Sequence, residues 1–455
     1  MSELSVTFAR GARRVTGSNF LLEATEGGKT TRILIDCGLS QGTQFCDPVN
    51  TEAFSYEPAS VDAIFFTHAH ADHIGLFPRL MKEGFIGRAY ATSATRALMP
   101  IMLEDSVKLI AVEAQSCGYA APYGQEDVER AAAVIETVSY HAPVTVGPAT
   151  VTLYNAGHIL GSAVVVIDVF GKRVAFTGDL GRVPTMLVPD REVPENVDIL
   201  ITESVYGNRT HGSITTSEAV LFEAVRDAAR KGGALLIPAF SLERTQIILA
   251  ALDRAMTAGD IPRVPTYMDS PLASKVTGVY RSHPDFLRQE VRERLAKGDD
   301  PFAFPSLHVT ERMQDSNAID STDGVKIIIA GAGMSHGGRI RRHELRYLPD
   351  PKTTMLLVGY QVPGSLGRRI KDGAKHVEID RQKVKVRAKI LSTDGFSAHA
   401  DRDDLMSFVE ETAPKRVFVI LGETEAATFL AQRISGLLGL PVDVPREGER
   451  YEIPL

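Results

Sequence analysis

The stretch Thr67-His68-Ala69-His70-Ala71-Asp72-His73 follows directly on the apolar run Asp62-Ala63-Ile64-Phe65-Phe66. A short run of this kind reads as a buried strand, and three imidazoles and a carboxylate stand where it ends. Imidazole nitrogen and carboxylate oxygen are the ligands of Zn²⁺ and similar ions, and a loop leaving a strand can aim them at one point. A polar loop with accidental histidines explains a lone His well. It explains an H-x-H-x-D-H run behind an apolar strand poorly.

Two later positions support the same reading. Asn155-Ala156-Gly157-His158-Ile159-Leu160-Gly161-Ser162 places a His between glycines at a strand-to-strand turn, and Phe176-Thr177-Gly178-Asp179-Leu180-Gly181 places an Asp between glycines at the next strand end. Each alone is ordinary turn chemistry. Their order behind the histidine cluster turns them into candidate ligands. Asp36, ending the strand Arg32-Ile33-Leu34-Ile35, is placed to orient a ligand histidine, while Cys37 beside it reads as core packing.

Outward from this centre, the first ~200 residues read as short strands with helices at Ala94–Ala114 and Glu126–Glu136. After Gly207 regular strand–helix alternation begins, with strands at Ala234–Pro238, Arg263–Met268, Val325–Ala330 and Thr353–Val358. That alternation implies a parallel sheet. The chain then reads as strand Val384–Ser392, helix Arg402–Glu411, strand Arg416–Leu421 and helix Glu425–Leu437.

The 455 residues allow two or three domains at ~150 residues each. With 44% hydrophobic and 24% charged residues the composition is that of a globular chain. No apolar run reaches the ~18 residues of a membrane span, and no secretory signal is visible. Three cysteines, Cys37, Cys46 and Cys117, provide no disulfide framework, and their odd number suits a reducing compartment, so the expected location is the cytoplasm. The net charge of −7 disfavours a polyanionic partner, but its distribution does not. Lys326 to Lys389 holds 15 Lys/Arg against 5 Asp/Glu, a local balance of +10 that leaves −17 elsewhere. This is either an electrostatic footprint for phosphates or a solvated basic face.

In its Asp36 strand end, His68/His70/Asp72/His73, His158 and Asp179, the chain resembles the metallo-β-lactamase superfamily. The segments Thr202-Glu203-Ser204, Ile237-Pro238-Ala239-Phe240-Ser241, Met268-Asp269-Ser270-Pro271, Gly364-Ser365-Leu366-Gly367-Arg368-Arg369 and Phe396-Ser397-Ala398-His399-Ala400-Asp401 narrow the resemblance to its β-CASP branch. That branch contains RNase J-like enzymes and the endonuclease of mRNA cleavage and polyadenylation. The resemblance runs nearly end to end. It implies an α/β fold, an αββα metallo-β-lactamase sandwich with an inserted parallel-sheet β-CASP cap. The core would take residues 1–208 and 386–455, and the cap 209–385.

The same resemblance implies a metal-dependent hydrolase of single-stranded RNA, an endonuclease with a 5′→3′ exonuclease mode left open. His68, His70 and His158 would hold one Zn²⁺, Asp72 and His73 a second, and Asp179 would bridge them, with Mn²⁺ as an alternative ion. A metal pair can stabilise both the attacking and the leaving oxygen of a phosphodiester. Glu203 would hydrogen-bond a histidine beside the metals, and His399 would protonate the leaving oxygen as general acid. A homodimer, common in the family, is left open, and no membrane is involved.

The glycine-rich turn Ala330–Gly338 offers backbone N–H groups to a phosphate, and Ser335, Arg339, Arg368 and Arg369 are its expected side-chain partners, with Arg341 and Arg342 nearby. One position departs from the family pattern. Val419-Ile420-Leu421-Gly422-Glu423 places a leucine where members carry a histidine that ligates the second metal. Two other functions compete with the leading one. An RNA-binding regulator whose catalysis has decayed would carry Leu421 as its mark, and a metallo-hydrolase of a small phosphoester would use the cap as a lid.

Overall fold

Strand Ala149–Asn155 buries alternate residues, with Val151 and Leu153 inside and Thr150, Thr152 and Tyr154 less buried. Strand Ala163–Val169 is buried along almost its whole length, because both of its faces are covered. These two strands typify the architecture. The computed structural model describes residues 2–40, 46 and 48–455. The chain separates into two compact units, Met1–Thr210 with His399–Leu455, and His211–Ala398.

The first unit carries two seven-stranded sheets. One runs Arg450–Glu452, Glu3–Arg10, Asn19–Glu26, Lys29–Ile35, Ala63–Phe65, Arg88–Ala91 and Ile135–Thr137 in spatial order. The other runs Val442–Asp443, Arg416–Val419, Ile199–Thr202, Lys172–Phe176, Ala163–Val169, Ala149–Asn155 and Val144–Val146. Their facing sides share one apolar cluster, in which Phe8, Phe20, Ile33 and Phe65 meet Val151, Val165, Phe176, Ile201 and Phe418. The outer face of the second sheet packs on helices Arg402–Thr412 and Thr424–Leu438 through Phe408, Val409, Leu430 and Ile434. Helices Ser93–Cys117 and Gln125–Ala133 lie beside the first sheet. The first of these starts where the Thr92 hydroxyl accepts from Thr95 N, and ends at left-handed Gly118. The result is an αββα sandwich.

The second unit is a six-stranded, wholly parallel sheet in the order Leu307–Val309, Thr266–Met268, Lys326–Ala330, Ala234–Pro238, Thr354–Val358 and Lys389–Thr393. Helices connect consecutive strands, as parallel pairing requires. The expected single strand over 384–392 is in fact two. Gln382–Lys385 forms a hairpin with His376–Ile379, and Lys389–Thr393 pairs with Thr354–Val358. Arg387 N and Ala388 N both donate to Leu348 O at the corner between them. Because Lys389–Thr393 belongs to this sheet, the chain rejoins the first unit at His399 rather than at 386.

The cysteine expectation is corrected too. Cys46 and Cys117 are disulfide-bonded across a separation of 71 residues, and Cys37 alone is free and buried. The pairing depends on the long helix bringing Cys117 to Cys46, which spacing along the chain does not reveal. Among the described residues, no helix is long and apolar enough to cross a membrane.

Candidate metal centre

Strands Ala149–Asn155, Lys172–Phe176, Ile199–Thr202 and Arg416–Val419 all point the same way, so their C-terminal ends share one edge of the second sheet. His158, Asp179, Glu203 and Leu421 leave from that edge. His68, His70, Asp72 and His73 leave the end of strand Ala63–Phe65 in the facing sheet, the last two on a one-turn helix, Ala71–Ile74. Glycine lets these loops approach each other. A Cβ at Gly178 would lie 2.6 Å from Thr67 Cβ, and one at Gly181 only 1.9 Å from Gly157 O.

His68 Nε2 lies 3.0 Å from His70 Nδ1, and His158 Nε2 lies 3.3 Å from the same atom. Asp179 Oδ2 stands 3.5 Å from His68 Nε2 and 3.6 Å from His158 Nε2. Four donors around a tetrahedral ion at Zn–N distances of 2.0–2.1 Å are separated by about 3.3–3.4 Å. The observed spacing of 3.0–3.6 Å fits that cage. Burial pushes the pKa values of His70 and His158 well below the ordinary range, and that of His68 down as well, so all three keep lone pairs at neutral pH.

The other oxygen of Asp179 turns the opposite way. Its Oδ1 lies 3.3 Å from His73 Nε2, and Asp72 Oδ2 is 4.0 Å from that nitrogen. His73 Nε2 is buried and makes no hydrogen bond. This unbonded nitrogen and carboxylate could face a second ion, and Asp179 turns one oxygen toward each position. His73 is aimed by Asp36, which is fully buried. The Asp36 carboxylate accepts from His73 Nδ1 at 2.7 Å, from Thr67 N and Thr67 Oγ1 at 2.8 Å, and from Ser18 Oγ at 2.9 Å. Burial opposes charge on His73, yet Asp179 and Asp36 together raise its pKa well above the ordinary value. Asp179 is likewise held well below the usual carboxylate range, because His73, His68 and His399 outweigh its burial.

Glu203 is buried and accepts from Leu180 N at 2.7 Å, and His399 Nδ1 lies 3.4 Å from its Oε1. Burial raises the Glu203 carboxyl against the pull of His399. Burial also acts against the His399 imidazolium, but Glu203 and Asp179 prevail and raise it. Leu421 is fully buried, with φ of 44°, and joins the apolar cluster beside Phe418 and Ile420. It brings no donor to the second position.

All the expected metal-site residues thus converge in the first unit. The four expected phosphate contacts lie in the second. There Arg339 is engaged inward. Its Nη1 donates to buried Asp269 at 2.7 Å and to Thr310 O at 3.0 Å, and its Nη2 to Glu311 O at 2.6 Å. Ser335 is fully buried with φ of 60°, Arg368 pairs with Asp372 at 2.8 Å, and Arg369 is exposed. The sequence reading missed Thr67 and Ser18, whose hydroxyls fix Asp36. The position of Thr67 next to His68 was the available signal.

Fold and donor set together define a metal-dependent hydrolase of the metallo-β-lactamase type. A metallo-β-lactamase superfamily domain matches residues 13–239, a β-CASP domain residues 245–370, and a Zn-dependent metallo-hydrolase RNA specificity domain residues 383–445. Ribonuclease TTHA0252 of Thermus thermophilus is 36% identical over 96% of this chain and 97% of its own length. The RNase J-like protein of Methanocaldococcus jannaschii is 30% identical over 97% of this chain and 98% of its own. Transcription termination factor FttA of Methanosarcina mazei is 32% identical over 94% of this chain and 68% of its own. A crystal structure of a protein of unknown function from Enterococcus faecalis superposes with a TM-score of 0.56 at 13% identity, over 99% of this chain and all of that one. The chain belongs to the β-CASP family of metallo-β-lactamase hydrolases.

Proposed function

We propose that the protein is a ribonuclease that hydrolyses phosphodiester bonds of single-stranded RNA at a zinc centre. The carrying observation is Asp179, whose Oδ2 faces His68 and His158 while Oδ1 faces His73. Divalent ions held there supply Lewis acidity and an activated water. His68, His70, His158 and Asp179 would hold the first ion, and Asp72 and His73, with Asp179, a second. Asp36 fixes the His73 tautomer by accepting its Nδ1 proton, which leaves Nε2 as the ligand atom. Glu203 fixes His399 through Nδ1, so Nε2 is the atom that delivers a proton to the leaving oxygen. Two relatives that are ribonucleases by name, and the RNA specificity domain, support RNA as the substrate.

A denaturing gel of labelled single-stranded RNA incubated with the protein and Zn²⁺ tests this reading. Cleavage by the parent and none by His68→Ala is the expected result. An intact RNA in both lanes, with zinc bound, refutes it. Leu421 favours a second reading, an RNA-binding regulator with reduced catalysis, because it removes one donor from the second position. Tight RNA binding without cleavage at any zinc or manganese level would establish that alternative.

A further inference from the structure

The basic segment Lys326–Lys389 spends many of its charges internally. Arg339 is bound to Asp269, Arg341 to Asp380, Arg342 to Asp320, Arg368 to Asp372 and Lys389 to Asp227. Lys371, Lys375, Lys383, Lys385 and Arg387 are different. All five are exposed, and among the described residues none has a side-chain hydrogen bond or ion pair. They gather on the hairpin His376–Ile379/Gln382–Lys385 and its two flanks.

The hairpin presents them in register. In Lys383-Val384-Lys385-Val386-Arg387-Ala388, the valines and the alanine turn into the apolar cluster with Val377 and Ile379, and the cations alternate outward. Alternate residues on a strand stand about 6.6 Å apart, a spacing close to that of successive phosphates in an extended single strand. Lys385 lies opposite His376, and Val386 N donates to Lys375 O, which brings Lys375 alongside the row. Glu378, opposite Lys383, is the acid on that face, and the neighbouring Asp372 and Asp380 are already paired.

The row starts beside the first glycine-rich turn, where Asp380 of the hairpin turn binds Arg341 and Arg341 Nη1 donates to His336 O, and it runs away from there. The turns at 331–338 and 359–365 follow the C-terminal ends of Lys326–Ala330 and Thr354–Val358, whereas Arg387 immediately precedes the N-terminal end of Lys389–Thr393. A five-residue strand spans about 16 Å, more than the about 13 Å that the phosphates of a trinucleotide cover at that spacing, so a trinucleotide bound at the turns does not reach Arg387.

We propose that Lys371, Lys375, Lys383, Lys385 and Arg387 form an accessory site for the phosphate backbone of single-stranded RNA, leading away from the glycine-rich turns of the second unit toward the opposite edge of its sheet. The inference rests on the ribonuclease reading and extends it: longer RNAs are held by sequence-independent contacts that short ones miss. Charge complementarity with an evenly spaced polyanion, and the regular outward repeat, select nucleic acid. Lysines on a hairpin rim also discourage pairing with other chains, but that role alone adds nothing to RNA affinity.

The test compares the parent with a variant carrying Lys375→Gln, Lys383→Gln, Lys385→Gln and Arg387→Gln, all exposed positions that leave the inward residues intact. Filter binding of a single-stranded RNA of about 30 nucleotides is measured from low to moderate salt. The slope of log K against log salt should flatten by about 0.7 for each cation removed, and affinity at low salt should fall about tenfold or more. Affinity for a trinucleotide, whose phosphates cover about 13 Å and do not bridge the strand length, should change less than twofold. Hydrolysis of bis(p-nitrophenyl) phosphate should be unchanged.

A parent that binds RNA with a steep salt slope, and a variant with the same slope, overturn the accessory site while leaving the ribonuclease reading intact. A parent that shows no RNA binding refutes the ribonuclease reading itself. Equal competition by polyglutamate on the parent, lost in the variant, makes the surface a protein site and overturns the assignment.

Discussion

Replacing Leu421 by His tests whether this position faces the second ion. Residue 421 closes strand Arg416–Val419, its N donates to Gly11 O at 2.9 Å, and its O accepts from Ser204 N at 3.2 Å. Those bonds place it beside Glu203 on the edge that carries Asp179. The leucine side chain is fully buried against Gly11, where a Cβ would stand 3.0 Å from Leu421 Cδ2. Without metal, Leu421→His forfeits about 1.5–3 kcal/mol of apolar burial and adds about 1–3 kcal/mol for a buried imidazole lacking a partner. The metal-free variant should therefore be less stable than the parent by about 2.5–6 kcal/mol. With zinc at a hundredfold excess over Kd, a completed second site returns about 2.7 kcal/mol. Urea denaturation with and without Zn²⁺, paired with metal counting, reads both effects. The expected pattern is a low metal-free midpoint, a zinc-induced rise larger than the parent's, and one more zinc per chain. RNA cleavage should rise with that occupancy. A variant destabilised by the same amount with and without zinc, binding no additional ion, refutes the placement of residue 421 at the second site.

Three other outcomes follow from the structure. Burial raises the Glu344 carboxyl from 4.5 to about 8, so between these values the folded state binds more protons than the unfolded chain and stability falls as pH rises. The fall is of order 4–5 kcal/mol at most by linkage, and Glu344→Gln should flatten it in urea midpoints measured across that window; parallel profiles for parent and variant would discount it. Reducing the Cys46–Cys117 disulfide should lower stability by about 4 kcal/mol, from closure of a 71-residue loop, and Cys117→Ser should reproduce the loss without reductant. Asp36→Asn sets an amide donor among four hydrogen-bond donors and frees the His73 ring, so zinc affinity measured against a chromophoric chelator should fall about 10–100-fold.

The metal donors were legible because most of them are local. His68, His70, Asp72 and His73 fall within one loop, and His158 and Asp179 are marked by glycines that only a close approach requires. The strand–helix alternation of the second unit was legible for the same reason, since each element carries its own periodicity. The misreadings share the opposite cause. The disulfide joins residues 71 apart, and the Arg339 side chain is settled by Asp269, 70 residues away. The alternation runs unbroken from Val384 to Ile390 across the corner, so nothing local announces that the chain bends there between two sheets.

The charge count shows how this distinction decides function. A local balance of +10 in the sequence treats Arg339 and Lys385 as equal contributors. In the fold, Asp269 neutralises the first, which is mostly buried, while the second stands exposed with no partner among the described residues. An ion pair already formed must be broken before its arginine can serve a phosphate, and a buried carboxylate left behind costs several kcal/mol. Arg339→Gln should therefore act mainly on the stability of the second unit, by exposing Asp269, Thr310 and Glu311 to unmet hydrogen bonding. Lys385→Gln should act mainly on RNA affinity and its salt dependence. Measuring urea midpoint and RNA binding on both variants separates the two kinds of cation. A loss of RNA affinity in Arg339→Gln with an unchanged midpoint would show that this arginine leaves Asp269 to meet the substrate.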